Sequence, residues 1–244
     1  MKASRSFPAE FRKLFNTRAL RWFYVAVIAL SLAACAAYLT LMLQPAMQTA
    51  QLATADLLQT LGEPVKIFSP LLGILVMAGD WNSRDISTVF LLKPKRRAVF
   101  FAKLACAILM EALLLVVVLG LALIAGWGAC FATGLPLVND QAALLSVGAR
   151  LGVEGGFGLL AGAAIASALL NAIAAAVVAV LQPQVIETAL GYLPNGLGSW
   201  LQQASVTDAA LNGADPAKAA TAAAFWIAIP LLIGFIRNQR RDVG

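Results

Sequence analysis

Between Ala98 and Trp127 the chain carries only two charged side chains, Lys103 and Glu111. As a helix, such a segment is longer than the ~20 apolar residues that cross a bilayer core about 30 Å thick. Five further segments share its character, so six spans are expected: 22–43, 64–80, 98–127, 142–165, 171–189 and 219–236. Composition agrees. The chain is 61% hydrophobic and 12% charged, against roughly 45–50% and about 25% in soluble domains. Mean hydropathy is +0.83. The expected fold class is an all-α membrane protein, with one transmembrane domain over residues 1–244.

The sequence contains no histidine. That excludes Ser-His-Asp and Cys-His catalysis, His-ligated zinc and haem, and the HExxH protease motif. No catalytic set and no metal site are expected. Cys35, Cys106 and Cys130 are an odd number and offer no disulfide framework. Leu32-Ala33-Ala34-Cys35 has the form of a lipoprotein processing box, but the apolar run continues through Leu43. A spanning helix is the better reading.

Charge position sets the expected orientation. With six spans, 15 of the 18 Lys and Arg fall on one side: before the first span, between the second and third, and after the sixth. The opposite side holds Asp56, Glu63, Asp140, Glu187, Asp208 and Asp215, with Lys66 and Lys218 its basic residues. The positive-inside rule places both termini in the cytoplasm of a multi-pass protein of the cell membrane. Anionic lipid accounts for the net charge of +6, and no nucleic-acid partner is needed. Residues 6–21 read as an interfacial helix: Ser6 caps it, Pro8 suits its first turn, and Phe7, Phe11, Leu14 and Phe15 share one face.

The most informative stretch is Asp80–Lys103. It is amphipathic, basic and too short for a domain. Asp80 sits where the second span leaves the membrane, and Arg84 follows four residues on, within helical reach. Val89–Leu92 form an apolar patch that Pro94 ends. Lys95, Arg96 and Arg97 open the third span. Such a loop reads as a surface helix that packs on a partner while anchored at both ends.

This stretch resembles the permease subunits of ABC transporters of the type-2 exporter class. In that class an acidic residue, often followed by an aromatic, closes the second span. A coupling helix comes next, then a proline, an arginine and a lysine. Asp80-Trp81, Arg84, Phe90, Pro94, Arg96 or Arg97, and Lys103 follow that order. The acidic residue is more often Glu, and this chain has Val89 where Thr is common. The resemblance implies a coupling helix in the loop 81–97, on which a separate ABC ATP-binding subunit docks, and a second permease subunit beside this one. ATP and Mg bind the partner, because this chain has no GxxxxGK[ST] loop and binds no cofactor itself. The chain is thus expected to be a transport subunit rather than an enzyme.

Polar residues inside the spans are costly and face a cavity or a partner. Arg150 and Glu154 stand at i, i+4 and can pair on one helix. Glu111 has to find a partner on another helix or be protonated. These three, with Glu187 near the outer end of the fifth span, are the expected transport-path residues. Gly148, Gly152 and Gly156 recur every fourth residue and are the expected site of close helix approach. Residues 190–218 hold the breaker cluster Gly191–Gly196, Trp200 and two turn signals. They read as an outer re-entrant or loop region.

Two further function classes compete. A gradient-driven transporter or channel would use Glu111, Arg150 and Glu154 but leaves the amphipathic loop without a task. An intramembrane aspartyl protease needs two facing aspartates, and only Asp80 is near. Cargo is expected to be hydrophobic or amphipathic: a drug, antibiotic, peptide or lipid.

Overall fold

The computed structural model describes residues 17–42, 44, 51–82, 96–134 and 136–240. Helix α1 spans Arg18–Met42. A two-residue strand, β1 (Leu52–Ala53), leads into α2 (Thr54–Asn82). Helix α3 (Arg96–Thr133) ends at Gly134, whose φ of 70° turns the chain toward β2 (Leu137–Val138) and α4 (Gln141–Leu169). Then α5 (Ala172–Leu181), a π turn (Gln182–Ile186) and α6 (Glu187–Gly191) follow without interruption. A 3-10 stretch (Pro194–Trp200), α7 (Gln203–Asn212) and α8 (Pro216–Ala223) come next. A second π turn (Ala224–Ala228) joins α8 to α9 (Ile229–Arg240).

Among the described residues the protein is all-α, apart from the β1–β2 pair. Among the described residues, five helical segments are long and apolar enough to cross a membrane: Arg18–Met42, Thr54–Gly79, Arg97–Thr133, Gln141–Leu169 and Pro216–Gln239. This is the pattern of a multi-pass membrane protein. The expected span 171–189 is the interrupted α5–α6 run, whose uninterrupted α-helix has ten residues. Helix α2 starts ten residues before the expected span, at Thr54. Its added turns bury Leu57, Leu58 and Leu61 at helical spacing despite polar neighbours.

Helices α2 and α4 form the centre. Their most apolar stretches are 56% and 67% buried, against 17% for α1 and for the last segment. They pack on each other more extensively than any other pair. Gly62 meets Leu151, Gly158 meets the Pro70 ring, and Gly73 meets Leu159 and Ala163. Residue numbers rise together, so the two helices run parallel. The strands fix the start of this pairing: Leu52 pairs with Leu137 and Ala53 with Val138, in parallel register. Thr54 Oγ1 adds a 3.3 Å bond to the Val138 carbonyl.

The chain reverses sharply after α4. Leu170 adopts a left-handed conformation (φ 53°) and its N–H bonds the Ala166 carbonyl. Asn171 then caps α5, its Oδ1 accepting the N–H groups of Ile173 at 3.0 Å and Ala174 at 3.1 Å. Arg237 of α9 donates to the Ala168 carbonyl, an acceptor the end of α4 leaves open. Gly234 lies against Ser167. The carboxyl ends of α4 and α9 therefore lie together.

Several expectations fall outside the described residues or change form. Residues 6–16 of the interfacial helix are outside, and Arg18–Arg21 belong to α1. Residues 83–95 of the coupling loop, with Arg84, Phe90 and Pro94, are also outside. Asp80 and Trp81 lie in the last turn of α2, Arg96 opens α3, and Arg97 is exposed. The region expected as an outer re-entrant or loop element, 190–218, is largely built of short helices.

Candidate functional site

Two helices supply the first charged groups. On α2, Glu63 and Lys66 stand at i, i+3, with Glu63 Oε2 2.7 Å from Lys66 Nζ. On α4, the expected pair forms, with Arg150 Nε 3.0 Å from Glu154 Oε1. The parallel register of α2 on α4 then brings Lys66 to Glu154 Oε2 at 3.2 Å. Each Glu154 oxygen thus has a cation, and its side chain is only 13% exposed. Sharing two cations offsets the cost of removing that carboxylate from water.

The second half comes from the interrupted run. Pro183 cannot donate a backbone hydrogen bond, and the helix widens into the π turn around it. The i→i+5 pattern of that turn sets Gln182 over Glu187. The Glu187 N–H bonds the Gln182 carbonyl, and Gln182 Nε2 donates to Glu187 Oε1 at 3.0 Å. The same oxygen accepts the Gln203 N–H at 2.8 Å. Glu187 therefore caps the amino terminus of α7 from another helix, where a carboxylate meets the positive end of the dipole. Gln203 Nε2 donates to the Glu154 carbonyl at 3.1 Å, tying α7 to α4. Trp226 Nε1 bonds the Leu201 carbonyl at 2.7 Å, and Thr221 Oγ1 bonds that of Trp200 at 2.7 Å. These bonds hold the segment before α7 against the last long helix.

The result is a pair of adjoining cavities that share Glu154, Ala204 and Thr207 in their walls. One, of about 430 Å³, is lined by Glu63, Lys66, Glu187 and Gln203, with Ile67 and Pro70 as apolar wall. The other, of about 490 Å³, is lined by Arg150, Asp208 and Asn212. Their size and mixed lining suit a small ligand.

Of the expected path residues, Arg150, Glu154 and Glu187 meet here, whereas Glu111 does not. Glu111 lies on α3 in the core and is 4% exposed. It has found a partner on another helix, the Ser69 hydroxyl of α2, which donates to Oε1 and also lies 2.8 Å from the Val65 carbonyl. Glu111 Oε2 is buried with no hydrogen-bond partner among the described residues.

The expected glycine contact is displaced within the chain. A Cβ on Gly152 or Gly156 meets nothing within 4 Å, and one on Gly148 would meet only Leu58 at 3.9 Å. Close approach falls instead on Gly155, Gly158 and Gly162. A Cβ on Gly155 would lie 2.7 Å from Glu111 Oε1, and one on Gly162 would lie 2.8 Å from Pro70 C and Cα. These three sit tight against α2 and, at Gly155, also α3, whereas Gly148 makes only an ordinary contact with α2. Lys66, Gln182, Gln203 and Thr207 were not anticipated as site residues. Lys66 had a visible signal, a lone cation within the second apolar segment three residues after Glu63.

Among the described residues no cluster of His, Cys, Asp and Glu is arranged to hold a metal ion. Comparison with protein families, with curated proteins and with solved structures finds no match.

Proposed function

We propose that the chain is the membrane-spanning permease subunit of an ATP-driven ABC exporter. It moves a hydrophobic or amphipathic substrate out of the cell with energy from a separate ATPase subunit. The observation that carries this reading is the charge-lined cavity held among long apolar helices. Charged groups inside a membrane bundle mark a route for cargo. The resemblance of Asp80–Lys103 to a coupling segment supplies the link to the ATPase, and the missing phosphate loop makes that partner necessary.

Six crossings follow from the same reading. The carboxyl ends of α4 and α9 lie together, so the chain between them travels to the opposite end of the bundle and back. The α5–α6 run makes the outward journey: its twenty residues rise about 30 Å at 1.5 Å each. The basic starts of α1 and α3 and the end of α9 then face the cytoplasm, with both termini. A second permease subunit, identical or related, completes the path.

Arg84→Glu or deletion of 86–92 tests the reading in native membranes. ATP hydrolysis should become uncoupled from transport while the spans stay folded. Wild-type coupling in both variants refutes the assignment of the loop.

One observation favours a second reading, a gradient-driven transporter: the Oε2 of Glu111 in the apolar core, which has no partner among the described residues. Efflux abolished by a protonophore but retained after ATP depletion would select it. The reverse selects the exporter.

A further inference from the structure

Three features of the smaller cavity leave groups open to a ligand. Glu187 is bonded only by neutral donors, and both bonds fall on Oε1. Among the described residues no cation pairs with it, whereas Glu63 and Glu154 share Lys66. Thr207 lines both cavities, is 7% exposed, and its Oγ1 is buried without a hydrogen-bond partner among the described residues. Ile67 and Pro70 form an apolar wall beside these groups.

The carboxylate and the hydroxyl each cost free energy as they stand. A carboxylate within a bundle of spans is unfavourable without a counter-charge. A buried hydroxyl without a partner forfeits its desolvation energy. One ligand chemistry answers both. A protonated amine brings a positive charge and several N–H donors, and an apolar body matches the wall. An anion meets three carboxylates and one lysine in this cavity, the wrong sign. Threonine in a helix populates two χ1 rotamers, so its hydroxyl can turn to accept from a ligand.

We propose that the cavity between α2, α4 and α7 binds an organic ammonium ion. Its N–H donors are accepted by Glu187 and Thr207, and its apolar body lies along Ile67 and Pro70. The site stands on this geometry; that the ammonium is cargo rests on the permease reading above.

The test is equilibrium dialysis of dansylcadaverine against the full chain in zwitterionic phosphatidylcholine nanodiscs, with empty nanodiscs as blank. The N-acetyl derivative gives a neutral probe of the same body, and dansyl aminohexanoate an anionic one. Saturable binding of the amine alone is expected. Glu187→Gln should weaken it about tenfold or more and Thr207→Val about fivefold, as loss of a charged and of a neutral hydrogen bond. Thr207→Val removes an unpartnered hydroxyl at nearly constant shape, so its melting temperature should stay equal or rise, which separates lost binding from unfolding. Equal binding of the neutral or anionic probe overturns the proposal, as does a wild-type dissociation constant in both variants. The assay needs no ATPase, so its failure leaves the exporter reading standing. If binding succeeds and no ATP-binding subunit is found, the site stands and that reading falls.

Discussion

The crossing of α2 on α4 predicts that Gly162→Ala is strongly destabilising, although alanine is the better helix former. The added methyl would lie 2.8 Å from Pro70 C and Cα, and nearer still to the Pro70 carbonyl oxygen. Carbon atoms settle at about 3.5–4.0 Å, so relief takes a local separation of roughly 0.7–1.2 Å. All three clashing atoms are backbone, and no side chain can turn aside. Overpacking of this kind costs about 1–3 kcal/mol, and this case belongs at the upper end. Alanine returns about 0.5–1 kcal/mol through lower backbone entropy. The net is about 2 kcal/mol, or about thirtyfold in the unfolding equilibrium. Gly152→Ala, with nothing within 4 Å of the new methyl, isolates the propensity gain and should be neutral or slightly stabilising. Reversible unfolding of both variants in mixed detergent micelles measures the difference. Equal stability of the two variants would refute the α2–α4 register.

Other outcomes follow from single contacts. Leu170→Gly relieves a left-handed residue at the end of α4 and should stabilise by about 0.5–1 kcal/mol in the same assay. Asn171→Ala removes the cap of α5 and should cost about 1 kcal/mol. Glu154→Gln weakens both cation contacts of a mostly buried carboxylate and should destabilise more than Glu63→Gln, whose more exposed pair contributes about 0.5 kcal/mol or less. Glu111→Leu removes a buried oxygen with no partner among the described residues and leaves Ser69 the Val65 carbonyl as acceptor, so both it and Glu111→Gln should stay within about 1 kcal/mol of wild type. Thermal unfolding of the four carboxylate variants in one detergent ranks them.

The sequence carries the long helices because hydropathy is a local property. It misses the start of α2, where Leu57, Leu58 and Leu61 are buried but lie among Asp56, Gln59 and Thr60. Average hydropathy conceals that stripe, although its helical spacing is visible. The Arg150–Glu154 pair is legible because both partners share one helix. The Lys66–Glu154 bridge is not, since it depends on the register that Pro70 and Gly158 impose between α2 and α4. Glycine spacing is ambiguous for a related reason. Gly148, Gly152, Gly156 and Gly155, Gly158, Gly162 both recur at helical spacing, and only the neighbouring helix decides which set is used. Glu187 as a cap for α7 joins residues 16 apart across a reversal of the chain. No local pattern encodes that contact, so 190–218 reads only as a re-entrant or loop region.

The permease reading meets its most direct test in a mild-detergent purification of the tagged chain from its native membrane, followed by mass spectrometry and an ATPase assay. The account predicts stoichiometric recovery of an ATP-binding subunit and ATP hydrolysis, both lost when residues 86–92 are deleted. Recovery of the chain alone, without ATPase activity in several detergents, contradicts it.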